Sequence, residues 1–304
     1  MRWCLSLALV LAACGSAPPA MNADPGAETP NPTGLLPEPA QGQQLVIPLH
    51  DVPAASERTR CYHINLHNPA PIDVVKIETA TMVGLHHFNV FVSTLTREDG
   101  WGPCPGSLDL FGGARPIVDG SSAGVSYPFP PGVAFRIEPE TLLIFQLHEL
   151  NVATTAKPQS FVLNLHTDGA ADHVLADIYG FTNLDLHLPP KQRTVQSKDC
   201  NIDNQMIVLS MSTHFHARGI EADSVIVRKG DTAETPLYRT QRWDNPEVLQ
   251  FSPTVVFDVG DVVRFRCTYQ NDDDFEVTYG GSATDEMCFL FGYYYPKVGL
   301  IPCI

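Results

Sequence analysis

From Leu45 onward the apolar positions fall in short runs with a period near two, separated by Gly, Pro, Asn and Asp. Asp73-Val-Val-Lys-Ile-Glu78, His86-His-Phe-Asn-Val-Phe-Val92, Leu142-Leu-Ile-Phe-Gln-Leu-His148, Ser160-Phe-Val-Leu-Asn-Leu-His166 and Val255-Val-Phe257 are examples. Such runs are rich in β-branched and aromatic residues, and they recur at spacings near ten residues, which predicts strands of antiparallel β-sandwiches. No long window carries a helical period. Two prolines in Leu188-Pro-Pro-Lys-Gln-Arg193 interrupt strand pairing and set the expected join between two domains, 45–190 and 191–304. Before them, residues 14–44 form a Pro/Ala-rich tether with too little apolar surface to order itself.

Composition narrows the class. The chain has 304 residues, beyond the usual size of one domain, and its 44% hydrophobic content suffices for a core. A formal charge of −15, from 34 acidic against 19 basic side chains, leaves no footprint for nucleic acid and no basic patch for anionic lipid. Arg2 followed by an apolar run to Ala13 reads as a secretory signal peptide over residues 1–13, too short to span a bilayer. Its end, Leu11-Ala-Ala-Cys14, resembles the bacterial lipobox. That likeness implies cleavage before Cys14, a lipid on Cys14, and a protein anchored to a bacterial envelope membrane facing the periplasm or exterior.

Eight cysteines are present; with Cys4 in the leader and Cys14 reserved for lipid, six remain: Cys61, Cys104, Cys200, Cys267, Cys288 and Cys303. An even number in an exported chain implies disulfides, with fifteen possible connectivities. None lies in a Cys-x-x-Cys, which argues against a redox dithiol or zinc ribbon.

Candidate chemistry begins with Met211-Ser-Thr-His-Phe-His-Ala-Arg-Gly219, whose alternation predicts a strand presenting His214 and His216 on one face. A glycine-rich stretch, Thr278-Tyr-Gly-Gly-Ser-Ala-Thr-Asp-Glu-Met287-Cys288, delivers a thioether. Two imidazoles with a methionine suit copper, above all Cu(I). His86 and His87 would leave opposite faces of a regular strand, so both can serve one metal only at a strand end or bulge, which Gly84 favours. His148 follows an apolar strand. The acidic run Asn271-Asp-Asp-Asp-Phe-Glu276 lacks the spacing of a calcium loop and reads as a solvated hairpin. His63 and His67 have no third ligand in view.

Taken in order, His86, His87, His148, His214, His216 and Met287 resemble the ligand set of the ascorbate-dependent type II copper monooxygenases, the family that comprises peptidylglycine α-hydroxylating monooxygenase and dopamine β-monooxygenase. Pro131-Gly-Val-Ala-Phe-Arg136, Gly280-Gly-Ser-Ala-Thr-Asp-Glu-Met-Cys288 and Tyr293-Tyr-Tyr-Pro296 extend the likeness from about Leu45 to Ile304. The resemblance implies two jelly-roll-like β-sandwiches facing across a cleft, with one copper in each. It implies electron entry at the His86, His87 and His148 copper, and oxygen chemistry at the copper held by the catalytic residues His214, His216 and Met287. It also implies O2, ascorbate or another one-electron reductant as co-substrates, and the pairings Cys61–Cys104, Cys200–Cys303 and Cys267–Cys288. The peptide-amidating branch grips its substrate carboxylate with Arg, Asn and Tyr where this chain has Ser212, Phe289 and Phe291. A small or apolar substrate is therefore expected. The competing reading is a copper storage or delivery lipoprotein of the envelope that uses the same ligands without oxygenation.

Overall fold

The computed structural model describes residues 34–82, 85–105, 113–121, 124–281 and 284–304. The signal peptide, Cys14 and most of the tether lie outside these, as does Gly84. Every helix or strand element among the described residues is a strand. The first half contains β1 (Gly42–Val52), β2 (Ser56–Asn65), β3 (Ile72–Val74), β4 (Lys76–Thr81), β5 (Leu85–Ser93), β6 (Gly100–Gly102), β7 (Ala114–Ser121), β8 (Ser126–Pro128), β9 (Val133–Ile137), β10 (Leu142–Asn151) and β11 (Lys157–His166). The second contains β12 (Val174–Thr182), β13 (His187–Leu188), β14 (Gln192–Asn201), β15 (Met206–His214), β16 (Gly219–Val227), β17 (Glu234–Thr240), β18 (Leu249–Phe257), β19 (Val262–Asn271), β20 (Val277–Thr278), β21 (Phe289–Tyr295) and β22 (Ile301–Cys303).

In the first half, a sheet ordered β1-β11-β4-β8 packs on one ordered β6-β2-β10-β5-β7. Phe161 of β11 is the contact between them, lying edge-on to Phe88 of β5 at 4.7 Å and to Phe145 of β10 at 5.7 Å. All three rings are fully buried. Burial of this kind contributes roughly 1.5–3 kcal/mol per side chain. In the second half, β14-β19-β16-β17 packs on a seven-stranded sheet, with Met211, Phe215, Phe265 and Tyr269 in one core. Ser224 of β16 donates to the Met211 sulfur at 3.1 Å across that core.

The seven-stranded sheet runs β18-β15-β21-β12-β9-β3, with β22 added alongside β12, so it crosses from one half of the chain into the other. The crossing is a parallel pairing of Val174–Ala176 on β12 with Val133–Phe135 on β9. Arg115 pairs with buried Asp177 at 3.1 Å, and the Tyr293 hydroxyl donates to the Ile117 carbonyl. Ile178, Leu209 and Tyr293 consequently belong to the core of the first sandwich. Three disulfides, Cys61–Cys104, Cys200–Cys303 and Cys267–Cys288, close as the resemblance implies.

Candidate metal centre

His86 and His87 stand at the start of β5, where the ladder to β10 slips: His148 pairs with His87, while Glu149 pairs with Leu85. His86 is the extra residue of that bulge. The irregularity turns both neighbouring imidazoles to one side, which a regular strand forbids. Ligand nitrogens of His86, His87 and His148 all lie within 4.8 Å of one another. His87 Nδ1 is 3.0 Å from His86 Nδ1 and 3.2 Å from His148 Nδ1. On the far side of its ring, His148 Nε2 faces a Glu57 oxygen at 2.7 Å. A carboxylate only accepts, so Nε2 carries a proton, and the atom left to offer a lone pair toward the other two is Nδ1.

The second pair is built differently from the sequence expectation. Strand β15 stops at His214, and His216 sits in the turn before β16, closed by Gly219 N–H donating to the His216 carbonyl at 2.9 Å. A shared strand face is therefore not what unites them. Phe215, 1% exposed, dives into the core and forces the chain to turn. A Cβ at position 219 would sit 1.9 Å from the Phe215 ring, so glycine is required there. The turn still brings the rings together, with centroids 5.2 Å apart. His216 Nδ1 faces the Asp285 carbonyl at 2.9 Å, so Nδ1 carries the proton and Nε2 is the free ligand atom.

Glu286, fully buried, accepts from the backbone N–H of His216 at 2.9 Å and of Arg218 at 2.8 Å. Burial lifts its carboxyl to about 7 despite those two bonds. Met287 follows, half-buried, with its carbonyl accepting from the Tyr269 hydroxyl at 2.6 Å. A Cβ on Gly280 would come within 2.2 Å of the Asp285 carboxylate, so the loop packs that side chain against the space glycine leaves.

The two histidine groups adjoin. His87 of one and His214 of the other have ring centroids 5.9 Å apart. His86, His87, His214, His216, Trp243 and Asp119 line a common cavity of about 50 Å³, room for one or two water-sized molecules. Trp243, from the loop between β17 and β18, packs on His86 at 5.6 Å. Burial, reinforced by His214 and the other imidazoles, pushes His87 down to about 2. Burial and then His216 bring His214 to about 3. His86 and His216 are lowered by the same first cause. Lone pairs at neutral pH are what metal binding needs. Neutral imidazoles with a thioether nearby fit copper better than calcium or magnesium.

Ser212 pairs with Phe291 and His214 with Phe289 across β15 and β21, so the three positions that depart from the peptide-amidating pattern lie beside the histidine pair. Glu57, Trp243 and the Asp285 carbonyl were not legible as partners of the histidines. Each reaches its imidazole through the fold, from another strand or loop, and leaves no spacing signal. Glu286 was visible only as part of the Glu-Met-Cys run.

An all-β chain that gathers four imidazoles with depressed pKa values around one cavity, with His148 against two of them, has the make-up of a histidine-ligated metalloprotein. Residues 175–304 match the family described as copper type II ascorbate-dependent monooxygenase, C-terminal domain. It is 27% identical over 179 residues to peptidylglycine alpha-amidating monooxygenase of Rattus norvegicus, covering 55% of this chain and 18% of that protein. It is 32% identical over 98 residues to dopamine beta-hydroxylase of Canis lupus familiaris, covering 32% and 16%. With DBH-like monooxygenase protein 2 of Mus musculus it shares 23% identity over 258 residues, covering 77% and 41%. The chain thus spans less than half the length of these curated relatives.

Proposed function

We propose that the protein is a copper-dependent monooxygenase that inserts one atom of O2 into a C–H bond of a small or apolar substrate. Two electrons from ascorbate or another one-electron donor, with two protons, reduce the second oxygen atom to water. The observation that carries this reading is the convergence of two groups of neutral imidazoles on one cavity, with Met287 next to the residue that holds His216. His86, His87 and His148 would hold one copper and His214, His216 and Met287 the other; copper supplies reversible one-electron chemistry and a Lewis-acidic position for oxygen.

The chain's own residues set the conditions for that chemistry. Glu57 fixes the ring of His148 and leaves Nδ1 facing inward. Asp285 does the same for His216, leaving Nε2. Trp243 covers His86 and restricts water in the cavity. Phe289 and Phe291 flank His214 with apolar surface where a substrate carboxylate would need a bidentate cation, which favours a substrate without one. The lipobox-like Leu11-Ala-Ala-Cys14 supports anchoring through Cys14 to a bacterial envelope membrane. Incorporation of labelled palmitate that Cys14→Ala abolishes would establish it.

The decisive experiment is oxygen uptake by the copper-loaded protein with ascorbate and a panel of small apolar substrates. Uptake matched by a product one oxygen heavier, and abolished in Met287→Ala, supports the enzyme. Stoichiometric copper with background uptake and no product across the panel supports copper storage or delivery.

A further inference from the structure

Three consecutive residues act on the second histidine pair from one loop. The Asp285 carbonyl accepts from His216 Nδ1–H at 2.9 Å, Glu286 accepts from the backbone of the His216 turn, and Met287 carries the thioether. Glu286 is the middle of the three and has no exposed surface. Its two carboxylate oxygens are divided between two donors on the opposing turn: Oε2 accepts from His216 N–H at 2.9 Å and Oε1 from Arg218 N–H at 2.8 Å. Around it the loop is tied to its own strand, with Glu286 N–H donating to the Thr278 carbonyl at 3.1 Å and Gly280 N–H to the Glu286 carbonyl at 3.1 Å. The Arg218 side chain closes the other flank. Its guanidinium donates to Asp273 at 2.6 and 2.9 Å and to the Thr284 carbonyl at 3.0 Å.

We infer that Glu286 is a positioning residue that fixes the separation of His216 and Met287, and so decides whether imidazole and thioether can share one metal ion. The two segments belong to different parts of the chain; the β15–β21 ladder joins them at His214 and Phe289, each two residues from the ligand concerned, and the contacts nearer to His216 are those of Asp285 and Glu286. Cys288 is bonded to Cys267 on β19, a strand that also pairs with β16 just after the His216 turn, so β19 backs both segments from behind. The carboxylate bridge spans the gap. A carboxylate suits the task because it accepts at both oxygens, whereas an amide would turn one donor toward a backbone N–H. Partners one step behind a metal's ligands characteristically change affinity by roughly 10–100-fold when removed.

This inference rests on the proposed copper function, and the test separates the two. Wild-type protein, Glu286→Gln and Glu286→Ala are loaded with Cu(I), and X-ray absorption and competitive chelation are read at each histidine group. The expected result is a sulfur scatterer in wild type that is lost in Glu286→Ala, with Cu(I) affinity at the second pair lower by about 10–100-fold. Glu286→Gln, which keeps its volume and one acceptor, should fall between. Copper at His86, His87 and His148 should be retained in both variants and serves as the internal check on folding. Variants with wild-type affinity and an unchanged sulfur signal overturn the positioning role while leaving the copper function standing. Loss of both coppers together with a lowered Tm in both variants would show that Glu286 only holds the fold, and would equally overturn it. Wild-type protein with no copper at His214 and His216 overturns both readings.

Discussion

The rings of His87 and His214 stand 5.9 Å apart at 65°, one at the start of β5 and the other at the end of β15. Each group nonetheless has its own support: the β5 bulge and Glu57 for one, the Gly219 turn and Glu286 for the other. His214→Ala or His216→Ala should therefore lower the copper content from two ions per chain to one. Metal analysis of the copper-loaded variants checks this, and loss of both ions would contradict the separate supports.

Met287→Leu separates a ligand from a packing residue. Swapping methionine for leucine of similar volume costs under about 1.5 kcal/mol in a core. Cu(I) affinity at the second pair should fall while Cu(II) binding through His214 and His216 persists, and Tm should move little. An unchanged Cu(I) X-ray absorption spectrum together with unchanged turnover would return Met287 to the core.

Glu149 is fully buried at the end of the first sandwich, bonded to His50, to Arg58 at 2.6 Å and to Arg60 at 3.3 Å. Burial alone would raise its carboxyl, but these three partners hold it down at about 2, against an ordinary 4.5. The folded state thus favours the ionised form. Its contribution is complete above pH 4.5 and is lost as pH falls from there toward 2, on the order of 3 kcal/mol. Glu149→Gln should be destabilised by a similar amount at pH 7 and show a flatter acid limb in urea titrations.

Asp119 has the opposite sign. Its Oδ1 is buried with no hydrogen-bond partner among the described residues, and burial raises the carboxyl from 3.8 to about 7. The folded state therefore favours the protonated acid, and stability should decline as pH rises from about 4 to about 7. Asp119→Asn removes the charge and should gain about 1–3 kcal/mol at pH 8, with little change at pH 4. Urea midpoints at the two pH values decide it.

Much of this architecture is local and could be read from the chain. β5, β10, β11 and β18 arise where two-residue periodicity and β-branched residues coincide, and the histidines appear in the order that the family resemblance requires. The turn that carries His216 was not legible, because Met211 to His214 alternates like a strand while the turn after it depends on Phe215 entering the core and on the space Gly219 leaves. Asp73 to Glu78 likewise reads as one run, yet it splits at Val75 between β3 and β4, which join different sheets. Glu57 and Trp243 reach the histidines only across the fold, and no spacing along the chain encodes such contacts.

The parallel pairing of β12 with β9 bears on how the chain can be divided. A fragment begun at residue 191 would lack β12, the strand that covers one side of β21 and, among the described residues, is the sole partner of β22. Its bare amide and carbonyl rows would recruit neighbouring molecules, a familiar route to oligomers by strand exchange. Begun at residue 174 instead, the fragment keeps both of those ladders and bares the short stretch that meets β9 together with the side chains of Ile178, Leu209 and Tyr293 that pack in the first sandwich. The practical cutting point for expressing the His214 and His216 pair alone therefore lies before β12, well upstream of the double proline.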